Sequence, residues 1–147
     1  MIVYLDTSAF VKLILQEEGA VDVRSWFDGA GPAVSSVITY PEARSALGRR
    51  ARASGRVSPH LEAWIAELEA RWRRLVSVRV DPQPAGELAL RHELRGMDAV
   101  QLAAAVNVRE RLRRHADDAE VVFAAFDRRL LEAAEREGFA TLGAPLE

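Results

Sequence analysis

Ile2-Val3-Tyr4-Leu5-Asp6-Thr7-Ser8 puts four apolar residues directly before an acid and two hydroxyls. An unbroken apolar run of this length suits a strand buried on both faces rather than a half-exposed one, which would alternate. An acid at the end of such a strand sits where parallel sheets gather ligands, beyond the strand's carboxyl end. Similar short runs recur at residues 33–37, 76–80, 121–126 and 140–142.

Helical patterns separate these runs. Leu61, Trp64, Ile65, Leu68, Trp72 and Leu75 repeat at the spacing of one helix face, with Glu62, Glu67, Glu69, Arg71 and Arg73 off that stripe. Ser58-Pro59 supplies its N-cap and first helical position. Thr39-Tyr40-Pro41-Glu42 opens an earlier helix in a similar way. Asp98-Ala99-Val100-Gln101 has the form of a capping box opening a helix over 98–109, and 127–137 reads as a last helix stopped by Gly138. Strands alternating with helices predict an α/β domain around a mostly parallel five-stranded sheet with right-handed crossovers.

Composition narrows the function. At 147 residues the chain fits one domain, 1–147, able to bury roughly 68–70% of its unfolded surface without a metal or disulfide for folding. The absence of cysteine excludes thiolate zinc sites, iron–sulfur clusters and a cysteine nucleophile. No apolar run approaches the ~20 residues of a membrane span, and the early Asp6 does not suit a signal peptide, so a soluble cytoplasmic protein is expected. A net charge of −2 argues against non-specific coating of nucleic acid but permits a local basic patch. Lys12 is the single lysine among 20 basic residues.

Four acids stand at the edges where such a fold converges. Asp6 follows the first strand, Asp127 follows the fourth, Glu42 starts one helix and Asp98 another. Each has an ordinary explanation as a cap or as a charge at the positive end of a helix dipole. Together they would repel and hold one another's protons unless a cation intervened. Oxygen-only donors select Mg²⁺ or Mn²⁺, ions suited to phosphodiester hydrolysis.

Tyr4–Leu13, Thr39–Leu47, Met97–Ala105 and Phe126–Ala134 resemble, in order, the four motifs of the PIN-domain ribonucleases, especially the VapC-like toxins of toxin–antitoxin pairs. The resemblance implies a three-layer domain, endoribonuclease activity on RNA, a divalent metal, homodimerisation and inhibition by a small antitoxin. By position, Asp6, Glu42, Asp98 and Asp127 would be the catalytic and metal-binding set, and Thr7 or Ser8 would bond a metal water or the Asp6 carboxylate. Asp98 and Asp127 are 29 positions apart, a longer gap than the family leads one to expect, so Asp117 and Asp118 compete with Asp127 for the fourth place.

Arginine clusters supply candidate phosphate contacts. Arg49, Arg50 and Arg52, trailing the helix that begins near Glu42, are favoured over 71–74 and 109–114. Phe10, Val11, Leu13, Ile14 and Leu15 crowd the first helix with apolar groups, mostly core with a surplus for a dimer contact or an antitoxin groove. Trp26, Phe27, Trp64 and Trp72 read as core, and His60, His92 and His115 as surface.

Two rival readings make different demands. A phosphoryl-transfer or receiver domain wants a late lysine, and a haloacid-dehalogenase-like site wants an acid at position 8, where Ser8 stands. A P-loop and a Gly-x-Gly-x-x-Gly turn are both missing. A catalytically silent PIN-fold module binding RNA or protein remains the alternative to a nuclease. For the fourth acid, Asp127→Asn is expected to weaken divalent-metal binding, read by titration calorimetry, more than Asp118→Asn; the opposite order would move the site to the 117–118 loop.

Overall fold

In the computed structural model, residues 1–29 and 31–143 are described. Strand β1 (Ile2–Leu5) runs through the middle of the molecule. β2 (Ala33–Ser36) pairs with it on one side and β4 (Val121–Ala124) on the other. β3 (Val76–Val78) and β5 (Ala140–Leu142) form the edges, giving a five-stranded sheet ordered β3-β2-β1-β4-β5 with every pairing parallel. The chain builds outward from β1 to β3, then crosses back to place β4 on β1's free side. That reversal leaves a crevice at the carboxyl end of β1.

Side-chain alternation along β1 assigns the two faces. Val3 and Leu5 point into one core with Phe10, Leu13, Val23, Phe27, Leu47 and Leu68, contributed by α1 (Thr7–Lys12), α2 (Ala20–Asp28), α3 (Thr39–Arg52) and α4 (Leu61–Trp72). Tyr4 points into the other, with Val34, Val121 and Phe123 from the sheet. α5 (Pro82–His92), α6 (Gly96–Arg114) and α7 (Arg128–Arg136) cover that side. The sheet is thus sandwiched between two helical layers, as the three-layer expectation has it. α6 presents Ala99, Ala103, Ala104 and Ala105 to this core, and small side chains bring its backbone close to the strands.

Several elements depart from the sequence reading. β2, β3 and β4 stop before the expected positions 37, 80 and 126. The edge strands are not buried on both faces: Val76 is 55% exposed, because nothing pairs beyond β3. The α4 helix begins two residues after Pro59, with Ser58 Oγ accepting the His60 N–H instead of capping the first turn. α2 and α5 are unanticipated. Pro82, Pro84 and Gly86 look like breakers, yet the two prolines fall in the first turn of α5, where N–H groups have no helical partner to lose. His92 is not a surface residue. Its side chain is 5% exposed and its Nε2 lies 3.6 Å from Glu137 Oε2, because α5 packs against the end of α7. His60 and His115 are exposed as expected, and Phe27 is core, with Trp26, Trp64 and Trp72 half-buried against it.

The stack of Tyr4 on Phe123, 5.2 Å between ring centroids, ties β1 to β4 inside the α5–α7 core. Phe123→Ala is expected to cost about 3–5 kcal/mol in urea unfolding. Leu90→Ala, at an 86% exposed position, is expected to change stability by less than about 0.5 kcal/mol.

Candidate active site

The acids enter the crevice from four different elements. Asp6 leaves β1 and caps α1: its Oδ1 accepts the Ala9 N–H at 2.9 Å and the Ser8 hydroxyl at 2.7 Å. The same Ser8 oxygen accepts the Phe126 N–H at 3.0 Å, which pins the chain leaving β4 to the start of α1. Asp127 is the third residue after β4 rather than the first, and caps α7 through the Leu130 N–H at 2.9 Å. Glu42 lies in the first turn of α3, where its Oε1 accepts from Thr7 Oγ1 at 2.7 Å and from Gln101 Nε2 at 3.0 Å.

Asp98 corrects an expectation. It does not open its helix. Arg95 holds the N-cap position with no side-chain bond, and Gly96 and Met97 are already helical, so Asp98 is the third residue of α6. Its carboxylate is released from capping and stands half-buried at the crevice.

Gln101, quoted above only as part of a motif, organises the floor. It is 2% exposed, and its Oε1 accepts the Tyr4 hydroxyl at 2.6 Å. Its Nε2 lies 2.9 Å from Thr7 Oγ1, 3.0 Å from Thr39 Oγ1 and 3.0 Å from Glu42 Oε1. Ser35 Oγ extends the network, bonding Leu5 O at 2.6 Å and lying 2.7 Å from Thr39 Oγ1. One amide one turn along α6 from Asp98 therefore joins β1, α1 and α3. A glutamine in an alanine-rich helix carries no sequence signal for that role beyond its being polar on a buried face.

Electrostatics follow from the burial. Desolvation pushes the Asp6 carboxyl up to about 7, against the downward pull of its bonds from Ala9 and Ser8, and Asp98 and Glu42 push it further. Asp98 is raised by desolvation first, then by Asp127, with Arg95 opposing and Glu42 adding. The acids thus feel one another across a shared cavity of about 420 Å³, whose walls include Asp6, Thr7, Ser8, Glu42, Asp98 and Asp127. Among the described residues, no three His, Asp or Glu side chains are gathered closely enough to enclose a metal ion as they stand.

The other sequence candidates separate. Arg49 lines the acidic cavity; Arg50 reaches Glu17 at 3.5 Å and lines a neighbouring groove; Arg52 lines neither. Asp117 and Asp118 line a different cavity with Arg109 and Phe139, ahead of β4 and so at the opposite end of the sheet. Lys12, singled out in the sequence only as the lone lysine, is buried in the wall of the acidic cavity.

A folded-state carboxyl held above its ordinary value keeps its proton where the unfolded chain has lost it. Stability contributed by protonated Asp6 is therefore lost as pH rises from about 4 to about 7. In chelator, the urea midpoint of the parent protein is expected to fall over that window. Asp6→Asn, which retains a capping side chain, is expected to fall less and to be the more stable of the two above about pH 7.

Comparison with known proteins agrees with this architecture. The PIN domain family model matches residues 3–136. Ribonuclease VapC45 and Ribonuclease VapC49, from two strains of Mycobacterium tuberculosis, are each 37% identical over 149 residues, covering 99% of this chain and 98% of theirs. Among solved structures, VapBC2 from Rickettsia felis, bound to a DNA fragment from its promoter, aligns with a TM-score of 0.64 at 14% identity over 97% of this chain and 98% of that one. PAE2754 from Pyrobaculum aerophilum aligns with a TM-score of 0.60 at 21% identity, over 95% of this chain and 82% of that one. The matched span takes in all four acids, and the chain belongs to the PIN-domain family, among its VapC-like toxins.

Proposed function

We propose that this protein is a divalent-metal-dependent endoribonuclease that hydrolyses RNA phosphodiester bonds as the toxin of a toxin–antitoxin pair. The observation that carries the reading is the convergence of four carboxylates from separate elements on one cavity. The names of its Mycobacterium relatives support ribonuclease activity. Residues 1–147 act as one PIN-like domain in this reading, in the cytoplasm where RNA is found.

The donor set fits a hard cation. Its oxygens are carboxylate and hydroxyl, with no histidine or cysteine in the cavity wall. Mg²⁺ commonly takes only one or two protein carboxylates, keeps several waters and completes its shell with substrate phosphate, so the loose spacing of these acids suits it, as it does Mn²⁺. Asp6 and Asp98 are the principal ligands in this scheme, and Asp127 serves a second or weaker position. When bound, such an ion polarises a phosphoryl oxygen and lowers the pKa of water.

The protein's own groups do the positioning. Ser8 and the Ala9 N–H fix which Asp6 oxygen remains for a ligand, since both bonds fall on Oδ1. Thr7 and Gln101 hold Glu42 from two sides, either to complete the pocket or to orient the attacking water. Arg49 draws the RNA phosphate toward the acids. Partners in this scheme are RNA, a small antitoxin protein and a second copy of the chain. No helix among the described residues is long and apolar enough to cross a membrane.

Cleavage of a structured RNA pool is expected with Mg²⁺ or Mn²⁺ and to stop with EDTA. Asp6→Asn is expected to reduce it by about a hundredfold or more while circular dichroism stays unchanged. Full cleavage by a folded Asp6→Asn protein would overturn the assignment. Metal binding without cleavage in the parent would favour a silent PIN-fold module.

A further inference from the structure

Lys12 is the one buried cation among the described residues, at 2% exposure, and it stands in the wall of the acidic cavity. Burying an ammonium is costly unless it is paired, so its position calls for a reason. Its single ion pair is with Glu17, 3.2 Å from Nζ; within the described residues no salt bridge joins it to Asp6, Glu42, Asp98 or Asp127. The charge is therefore not spent neutralising the site acids.

The surroundings clamp this side chain. Nζ lies 4.6 Å from the centroid of the Phe126 ring. Gly19, at φ +87°, packs against both: a Cβ there would meet Phe126 Cε1 at 2.8 Å and Lys12 Cδ at 3.3 Å. Glu17 is itself held by Arg50 at 3.5 Å. An ammonium has three donors, and Glu17 accepts one. The composition adds a second argument. Every other basic residue is arginine, yet this place holds the compact point charge rather than the planar fork.

We propose that Lys12 is a substrate-contacting residue, whose ammonium takes a non-bridging oxygen of the phosphate that enters the acidic cavity while Glu17 and Phe126 hold it in line. An anion approaching four carboxylates needs fixed positive charge beside them, and Lys12 supplies it from the protein. The assignment rests on the ribonuclease reading above.

The test uses the full chain carrying Asp6→Asn, so that RNA is bound without being consumed. Binding of a fluorescent single-stranded oligoribonucleotide of mixed sequence is followed against KCl at fixed Mg²⁺. Adding Lys12→Met, which keeps the stem and removes the charge, is expected to weaken binding several-fold and to reduce the magnitude of the log–log salt slope by about 0.7, the value of one lost single-strand phosphate contact. Lys12→Arg is expected to keep the parent slope. An unchanged slope in a folded Lys12→Met protein would overturn the proposal, because a merely structural lysine would not carry the salt term. Should Lys12→Met not fold, Lys12→Gln, which keeps a hydrogen-bonding end for Glu17 and removes the charge, is expected to lower the salt slope in the same way, and an unchanged slope would overturn the assignment. If the Asp6→Asn protein binds no RNA even at low salt, the RNA reading itself falls and this inference falls with it.

Discussion

Mutual repulsion among the carboxylates is the constraint to which the rest of this structure answers. Asp6, Glu42, Asp98 and Asp127 are brought to one cavity by four different elements, and each must be held there against the others. The fold does this largely with neutral donors. Asp6 takes a hydroxyl and a backbone N–H, Asp127 a backbone N–H, and Glu42 a threonine hydroxyl and the Gln101 amide. Neutral donors orient a carboxylate without cancelling its charge, so the cavity remains attractive to a cation. Burial first, and the neighbouring carboxylates after it, raise the proton affinity of Asp6 and Asp98.

The supporting network explains why the strands must sit in this order. Gln101 reaches Tyr4 from the middle of β1 and Thr39 just beyond β2, so α6 can serve the site only by lying across both strands. Ser8 links Asp6 to the backbone that leaves β4. Glu42 is thus held from α1 and α6, and Asp6 is tied through Ser8 to the chain leaving β4, so small shifts in sheet packing are felt at the site.

Much of this was legible in the residues. An apolar run ending in an acid is a local signal, which is why Asp6 and Asp127 could be placed at strand ends, although Asp127 lies two residues farther along than its pattern suggests. The rival acids at 117 and 118 are disfavoured already because Asp127 alone follows a strand and fits the motif, and the topology puts them at the other end of β4. What stayed hidden depended on long-range contact. Gln101 and Lys12 are polar residues inside helices, and their partners lie across the fold or in a turn closed by Gly19. α5 was masked because Pro82, Pro84 and Gly86 signal a loop unless the prolines fall within a first turn. Asp98 was mistaken for a cap because its spacing to Gln101 mimics a capping box, whereas Gln101 is turned into the core.

The pairing of β1 with β4 has a consequence for synthesis on the ribosome. Ile2 meets Val121 and Leu5 meets Ala124, so the centre of the sheet joins the first strand made to nearly the last. Until residues 121–127 have emerged, β1 has a partner on one side only, and Asp6 has neither Phe126 nor Asp127 beside it. Contacts this distant in sequence form late because the loop between them must first be closed. A growing chain therefore carries three of its acids without the fourth, and the cavity is assembled only once β4 and the segment that carries Asp127 have been made.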